Sequence, residues 1–163
     1  MNQDQDNTMK SQENLKKIEF MQAALEEAKL AFAEDEVPVG AVVVYNNQII
    51  ARAHNKREGE QLIHGHAEFL AMMEAAKVIG SWRLENCDVY VTMEPCPMCA
   101  GAMIQSRVRH VYYGVKDYKS GVAGSILNMF ELPFNHHVDV EGNLLAKESE
   151  QLLKTFFKKL RQK

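Results

Sequence analysis

Two short clusters, His66-Ala67-Glu68 and Pro95-Cys96-Pro97-Met98-Cys99, constrain this chain more than any other feature. They offer three metal-type ligands, His66, Cys96 and Cys99, and one carboxylate, Glu68, that is free to move protons. Zinc held by three protein groups keeps a fourth position open for water, whereas a structural site closes that position with a fourth side chain. Such water is acidified towards neutral pH and becomes a hydroxide nucleophile. The pattern therefore points to hydrolytic chemistry at a zinc ion.

Each cluster also has a local geometry. Cys96 and Cys99 lie three apart at the start of a helix that opens at Pro95, so both sulfurs project from one face. The positive end of the helix lowers thiol pKa towards the metal-binding thiolate. Two buried core cysteines or a redox pair would share this spacing, and the upstream His-x-Glu favours the metal. His66 and Glu68, two apart, would point about 200° from each other on a regular helix. Both can face one pocket if His66 sits at a loop–helix junction. Glu68 would then reach the water without ligating the ion, take its proton, and deliver it to a substrate nitrogen and to the leaving ammonia. His64 and Cys87 are the residues able to close the site as a fourth ligand. Cys87 precedes the apolar Val89 and Val91 and reads as a buried strand residue. His64 reads as a polar connector.

The chain has 163 residues, which predicts one domain able to bury a core without disulfides. An odd count of three cysteines, two of them C-x-x-C, fits metal binding in a reducing compartment. The start is polar, with no signal peptide and no membrane-spanning apolar run, so the expected location is the cytoplasm and no membrane is involved. A net charge of −3 argues against nucleic acid, and no DNA partner is expected. The charge is uneven, however. Residues 1–105 carry 9 basic and 16 acidic side chains, and residues 106–163 carry 10 and 6, an asymmetry compatible with a polyanion-binding face or a solvated helix.

Residues 1–11 are polar and predicted to be a disordered extension, leaving 12–163 as the domain. Apolar residues at three- and four-residue spacing from Leu15 to Phe32 predict an amphipathic helix over 13–34. Strands are predicted over 41–45, 48–54, 88–93, 108–115 and 137–140, with Asn46-Asn47 as a hairpin turn. Helices are predicted over 67–79, with Phe69, Leu70, Met73 and Ala76 inward, over 96–105, and over 147–160, with a helical piece near 126–130. Residues 116–125 form a Gly-rich loop. The order implies an antiparallel opening hairpin, later parallel pairing, and a mixed α/β sheet covered by helices on both faces.

The His-x-Glu and Pro-Cys-x-x-Cys pair resembles the nucleobase deaminase signature, for which the general pattern is well described. Further stretches narrow the likeness: Glu36-Val-Pro-Val-Gly-Ala-Val42, Tyr90-Val-Thr-Met-Glu-Pro-Cys96, Met98-Cys-Ala-Gly-Ala-Met103, Asp117-x-Lys119-x-Gly121-x-x-Gly124-Ser125 and the Phe156-Phe157…Arg161 ending. Together they resemble the bacterial tRNA-specific adenosine deaminases, over residues 15–161 or so. That resemblance implies a three-layer α/β/α cytidine-deaminase-like fold with a roughly five-stranded mixed sheet. It also implies a homodimer with one zinc per subunit, and conversion of the wobble adenosine of a tRNA anticodon stem-loop to inosine. By the same resemblance His66, Cys96 and Cys99 hold the zinc and Glu68 shuttles protons. Asn55 contacts the flipped-out nucleoside. Asp117 and Lys119 hold neighbouring nucleotides, and Asn135, Phe157 and Arg161 belong to the loop-binding surface. RNA loops are read by splayed bases, hydrogen bonds and stacking, and Lys158, Lys159 and Arg161 would supply phosphate-facing charge. Core packing is the alternative for Phe156 and Phe157.

One departure stands out. The family carries an Asp-Pro-Thr-Ala-like run before His-Ala-Glu, and this chain has Leu62-Ile63-His64-Gly65. A different turn, a different helix cap and added flexibility at Gly65 are expected there. Two other readings compete: a free-base deaminase acting on guanine or cytosine, which has no need of Lys119 or a basic last helix, and a zinc-stabilised binding module, which needs His64 or Cys87 on the metal.

Overall fold

Val42, Val44, Tyr90 and Tyr112 lie on one side of a sheet, and Ala41, Val43, Val89, Val91, Val111 and Tyr113 on the other. Both sets are buried, so the central strands are apolar on both faces and must be covered twice. A computed structural model describing residues 2–163 shows how. The elements are α1 (Gln3–Ala33), β1 (Gly40–Tyr45), β2 (Gln48–His54), α2 (Ala67–Ile79), β3 (Cys87–Met93), α3 (Pro97–Gln105), β4 (His110–Val115), β5 (Asp139–Glu141) and α4 (Ala146–Arg161), with a 3₁₀ turn at Met129–Glu131. Phe20, Met21 and Ala24 of α1 pack on the first face, whereas α2 and α3 bring Ala67, Ala71, Ala75, Ala100, Met103 and Ile104 to the second. The result is the expected three-layer α/β/α arrangement.

The strand order is β2-β1-β3-β4-β5. β1 pairs antiparallel with β2 and β3, while β3–β4 and β4–β5 are parallel. Four of the five strands therefore point the same way, and only β1 runs against them. Asn46 and Asn47 make the hairpin turn at φ 50° and 59°, the positive values that a two-residue turn requires and that Asn tolerates. α2 follows the end of β2 and α3 follows the end of β3. Both helices thus begin at the same end of the sheet, the carboxyl end of the strands, where open α/β sheets bind ligands.

Several expectations shift. α1 runs from Gln3, through the segment expected to be disordered up to residue 11, because helix-compatible polar residues simply continue the helix into solvent. Leu15 and Ile18 are exposed there, and burial begins at Phe20. On α2 the inward face is Ala67, Glu68, Ala71, Met72 and Ala75, not the Phe69–Met73 face. Small residues sit against the sheet because α2 packs closely on it, and Met73 is left 43% exposed. β4 starts at His110, since Val108 and Arg109 approach as an irregular lead-in. The helical piece near 126–130 is only the 3₁₀ turn, and the last strand shrinks to three residues.

α1 lies so near β1 that Gly40 has no room for a side chain: a Cβ would overlap the backbone of Ala24 and Ala28. α4 runs beside α1, with Phe156 edge-on to Phe32 and Lys163 paired with Asp35, so its last turns stand near the end of α1. Gly40→Ala is expected to lower the unfolding free energy by about 3 kcal/mol or more, because the clash is with backbone and cannot be relieved by a rotamer change. A chemical denaturation midpoint equal to wild type would refute that packing.

Candidate metal centre

His66 is the residue before α2, with extended φ −88° and ψ 141°, and Cys96 is the residue before α3, at φ −83° and ψ 173°. The loop–helix junction expected for His66 is therefore present, and Cys96 occupies the equivalent position one helix over. Cys99 lies one turn into α3 and is fully buried. His66 Nδ1 is 3.5 Å from each sulfur, and the three ligand atoms lie within 4.8 Å of one another. Tetrahedral zinc with Zn–N of about 2.0–2.1 Å and Zn–S of about 2.3 Å requires N–S edges of about 3.5 Å. The donor set and its spacing fit the ion. Among the described residues His64 and Cys87 are not part of this group. Cys87 is sealed in the core beneath the sheet, and His64 packs on the Phe69 ring at 5.7 Å. The group thus offers three protein ligands, His66, Cys96 and Cys99.

Glu68 is on the first turn of α2, only 4% exposed, and faces inward. In the metal-free protein burial pushes its carboxyl up to about 7, and the adjacent His66 opposes this only in part. A helix N-terminus stabilises an ionised carboxylate by about 0.3–1 kcal/mol, so here burial outweighs the dipole. The Cys99 thiol, together with His66, holds Cys96 down to about 4 against its burial, and the same contact with Cys96, aided by burial, pushes Cys99 far above the ordinary thiol range. Cys96 in turn raises the His66 imidazole.

Asn55 follows β2 and is buried. Its Oδ1 accepts from the Ala67 N–H at 2.8 Å, the first amide of α2. Neither His66 nor a neighbour in sequence caps that helix, so Asn55 does it from twelve residues away. Gly65 corrects the expected flexibility: its α-carbon lies against the Arg57 backbone, with no space for a Cβ, and its carbonyl accepts from Lys56 N–H at 2.9 Å. The unusual run thus forms a tight fold-back.

Two buried carboxylates that the sequence does not single out hold the loops around this centre. Glu36 accepts from the backbone N–H groups of Glu58 and Gly59 and anchors the 56–65 loop. Glu94, next to Pro95, accepts from Asp117 N–H, Ala123 N–H, Ser125 N–H and the Ser125 hydroxyl, and so anchors the 116–125 loop. The available signal was an acid placed beside a strand end and a proline, a poor position for a solvated helix carboxylate. Asp117 itself is engaged in its own turn, accepting from Lys119 N–H, Ser120 N–H and the Ser120 hydroxyl. Lys119 and Asn135 are exposed, as are Phe157 and Arg161 near the end of α4, and no contact joins these four to the metal ligands. Phe156 is in the core.

Because its folded value lies above the unfolded 4.5, Glu68 costs metal-free wild type stability as pH rises from about 4.5 to about 7 and no more above that. Metal-free Glu68→Gln is accordingly expected to exceed wild type by about 3 kcal/mol above pH 7, a gap that closes towards pH 4.5. Urea unfolding of chelator-treated protein across pH checks this, and a pH-independent gap would contradict it.

The model of the MafB19-like deaminase family matches residues 15–161. The chain is 50% identical over 145 residues to a tRNA-specific adenosine deaminase of Bacillus subtilis, covering 88% of this chain and 90% of the relative. It is 45% identical over 143 residues to one of Aquifex aeolicus, covering 87% and 94%. A solved chain from work on A-to-I editing by tRNA:A34 deaminases at the wobble position of transfer RNA superposes with a TM-score of 0.80 at 41% identity, over 83% of this chain and 99% of that one.

Proposed function

The chain belongs to the MafB19-like deaminase family and, within it, to the tRNA-specific adenosine deaminases, and from that membership we propose that it converts the wobble adenosine of a tRNA anticodon to inosine. The observation that carries this reading is the three-ligand centre with a buried, unligated Glu68 beside it, combined with high identity over nearly the whole chain. His66, Cys96 and Cys99 would hold one zinc per chain. Bound there, zinc supplies Lewis acidity that brings a water in its open position close to ionisation at neutral pH.

The protein's own groups do the rest. Glu68 accepts the proton of the attacking water, passes it to a ring nitrogen of adenine, and then protonates the departing amine, so that water and adenosine give inosine and ammonia. Buried beside the three ligands and not itself one of them, Glu68 is placed to move a proton between water and substrate. The Asn55 amide nitrogen donates to the nucleoside, since its oxygen is occupied by Ala67. Lys119, with Phe157 and Arg161 at the end of α4 and the exposed Asn135, contacts the surrounding RNA. Asp117 acts on the RNA indirectly, through the turn it builds.

A homodimer is part of this reading. Met73, on the α2 face expected in the core, is exposed, and so are Val78 and Ile79 near the end of that helix, apolar groups of the kind a second copy would cover. The protein works in the cytoplasm, where its free cysteines stay reduced. No described helix is long and apolar enough to cross a membrane.

Purified protein is expected to form inosine in an adenosine-containing anticodon stem-loop and to leave free guanine and cytosine unchanged. Glu68→Ala should lose at least about 100-fold in kcat while retaining RNA affinity. Turnover of free guanine with none of RNA would overturn the assignment. Cys99→Ser should reduce zinc content, read by elemental analysis, well below one ion per chain, because the remaining pair leaves the tetrahedron short of a ligand.

A further inference from the structure

Tyr118 is 78% exposed, one of the barest aromatic rings on the molecule. It belongs to no core cluster, yet the loop that carries it is among the most firmly held. Asp117 closes the turn beneath it through three hydrogen bonds, and the Asp117 carbonyl accepts from Gly121 N–H at 2.8 Å. Glu94 fixes the loop from below through Asp117, Ala123 and Ser125. Gly121 has no room for a Cβ against Glu94 and the Asp117 carbonyl, so the turn cannot shift without breaking that anchor. A rigid backbone thus presents a bare ring, flanked by the exposed Lys116 and Lys119, on a segment tied to the residues that precede metal ligand Cys96.

We propose that Tyr118 is a stacking platform for an unpaired base of the RNA, next to the deaminated nucleotide, with Lys116 and Lys119 on the adjoining phosphates. The proposal rests on the RNA-deaminase reading above and deepens it: the loop reads RNA through Tyr118, while the Asp117 carboxylate is occupied in shaping the turn. The chemistry agrees. A ring held out in water has unfavourable apolar exposure that a base plane relieves, a prearranged ring loses little freedom on binding, and cations on either side match the backbone charge.

The test compares wild type, Tyr118→Ala and Tyr118→Phe for affinity towards a fluorescein-labelled anticodon stem-loop, by anisotropy, alongside inosine formation. Tyr118→Ala should weaken binding about ten-fold or more and raise KM with little change in kcat, while Tyr118→Phe behaves as wild type. Removing the ring takes away no charge, so the salt dependence of binding should keep its slope in Tyr118→Ala and become shallower in Lys119→Ala. Wild-type affinity in Tyr118→Ala overturns the proposal. So does a fall in dimer affinity by sedimentation with unchanged RNA binding, which would assign the ring to contacts between copies of the chain. Binding without inosine formation in wild type would instead overturn the functional reading, and the Ala–Phe comparison would still decide the role of the ring.

Discussion

The positive ends of two helices aim at one point, and much of this molecule is arranged to make that placement tolerable. α2 and α3 start at the same end of the sheet because β2 and β3 run in the same direction, with β1 reversed between them. Their first-turn amides have no partners within the helices, and their dipoles would repel if nothing anionic lay between. The chain places the ligands His66 and Cys96 immediately before the helices, puts Cys99 and Glu68 on their first turns, and draws Asn55 across to receive one amide. Hydrogen bonds from Cys99 and His66 hold the Cys96 thiol low, so negative charge gathers on that sulfur, while burial keeps Glu68 from adding to it.

Much of this was legible in the sequence because chemistry and periodicity agreed. The ligand triad follows from residue types at two fixed spacings, and β1 and β2 follow from an apolar run bounded by Asn46-Asn47. What failed did so where tertiary packing overrides local pattern. The α2 periodicity admits two faces, and a nearby sheet selects the one lined with alanines. Residues 3–11 look unstructured by composition, yet polar helix formers extend a helix once the following turns are buried. Glu36 and Glu94 were hidden because a carboxylate's worth here depends on backbone N–H groups from distant segments, which no local pattern reveals.

Those two carboxylates divide the labour around the centre. Each is buried, and each is stabilised by gathering backbone donors where no salt bridge is formed, so its loop is ordered as a condition of burying the charge. Glu36 ties down the segment that folds back at Gly65 beside His66, and Glu94 ties down the segment on the far side, beside Cys96. The strands and helices locate the reactive atoms, and the anchored loops decide what can approach them.

Asn55 carries the last consequence. One end of its amide is fastened to the first N–H of the helix that bears Glu68, which sets where the other end sits relative to that carboxylate. The oxygen and nitrogen share a single carbon. A molecule that met the nitrogen would therefore be gauged against α2 through one carbon atom and one 2.8 Å hydrogen bond.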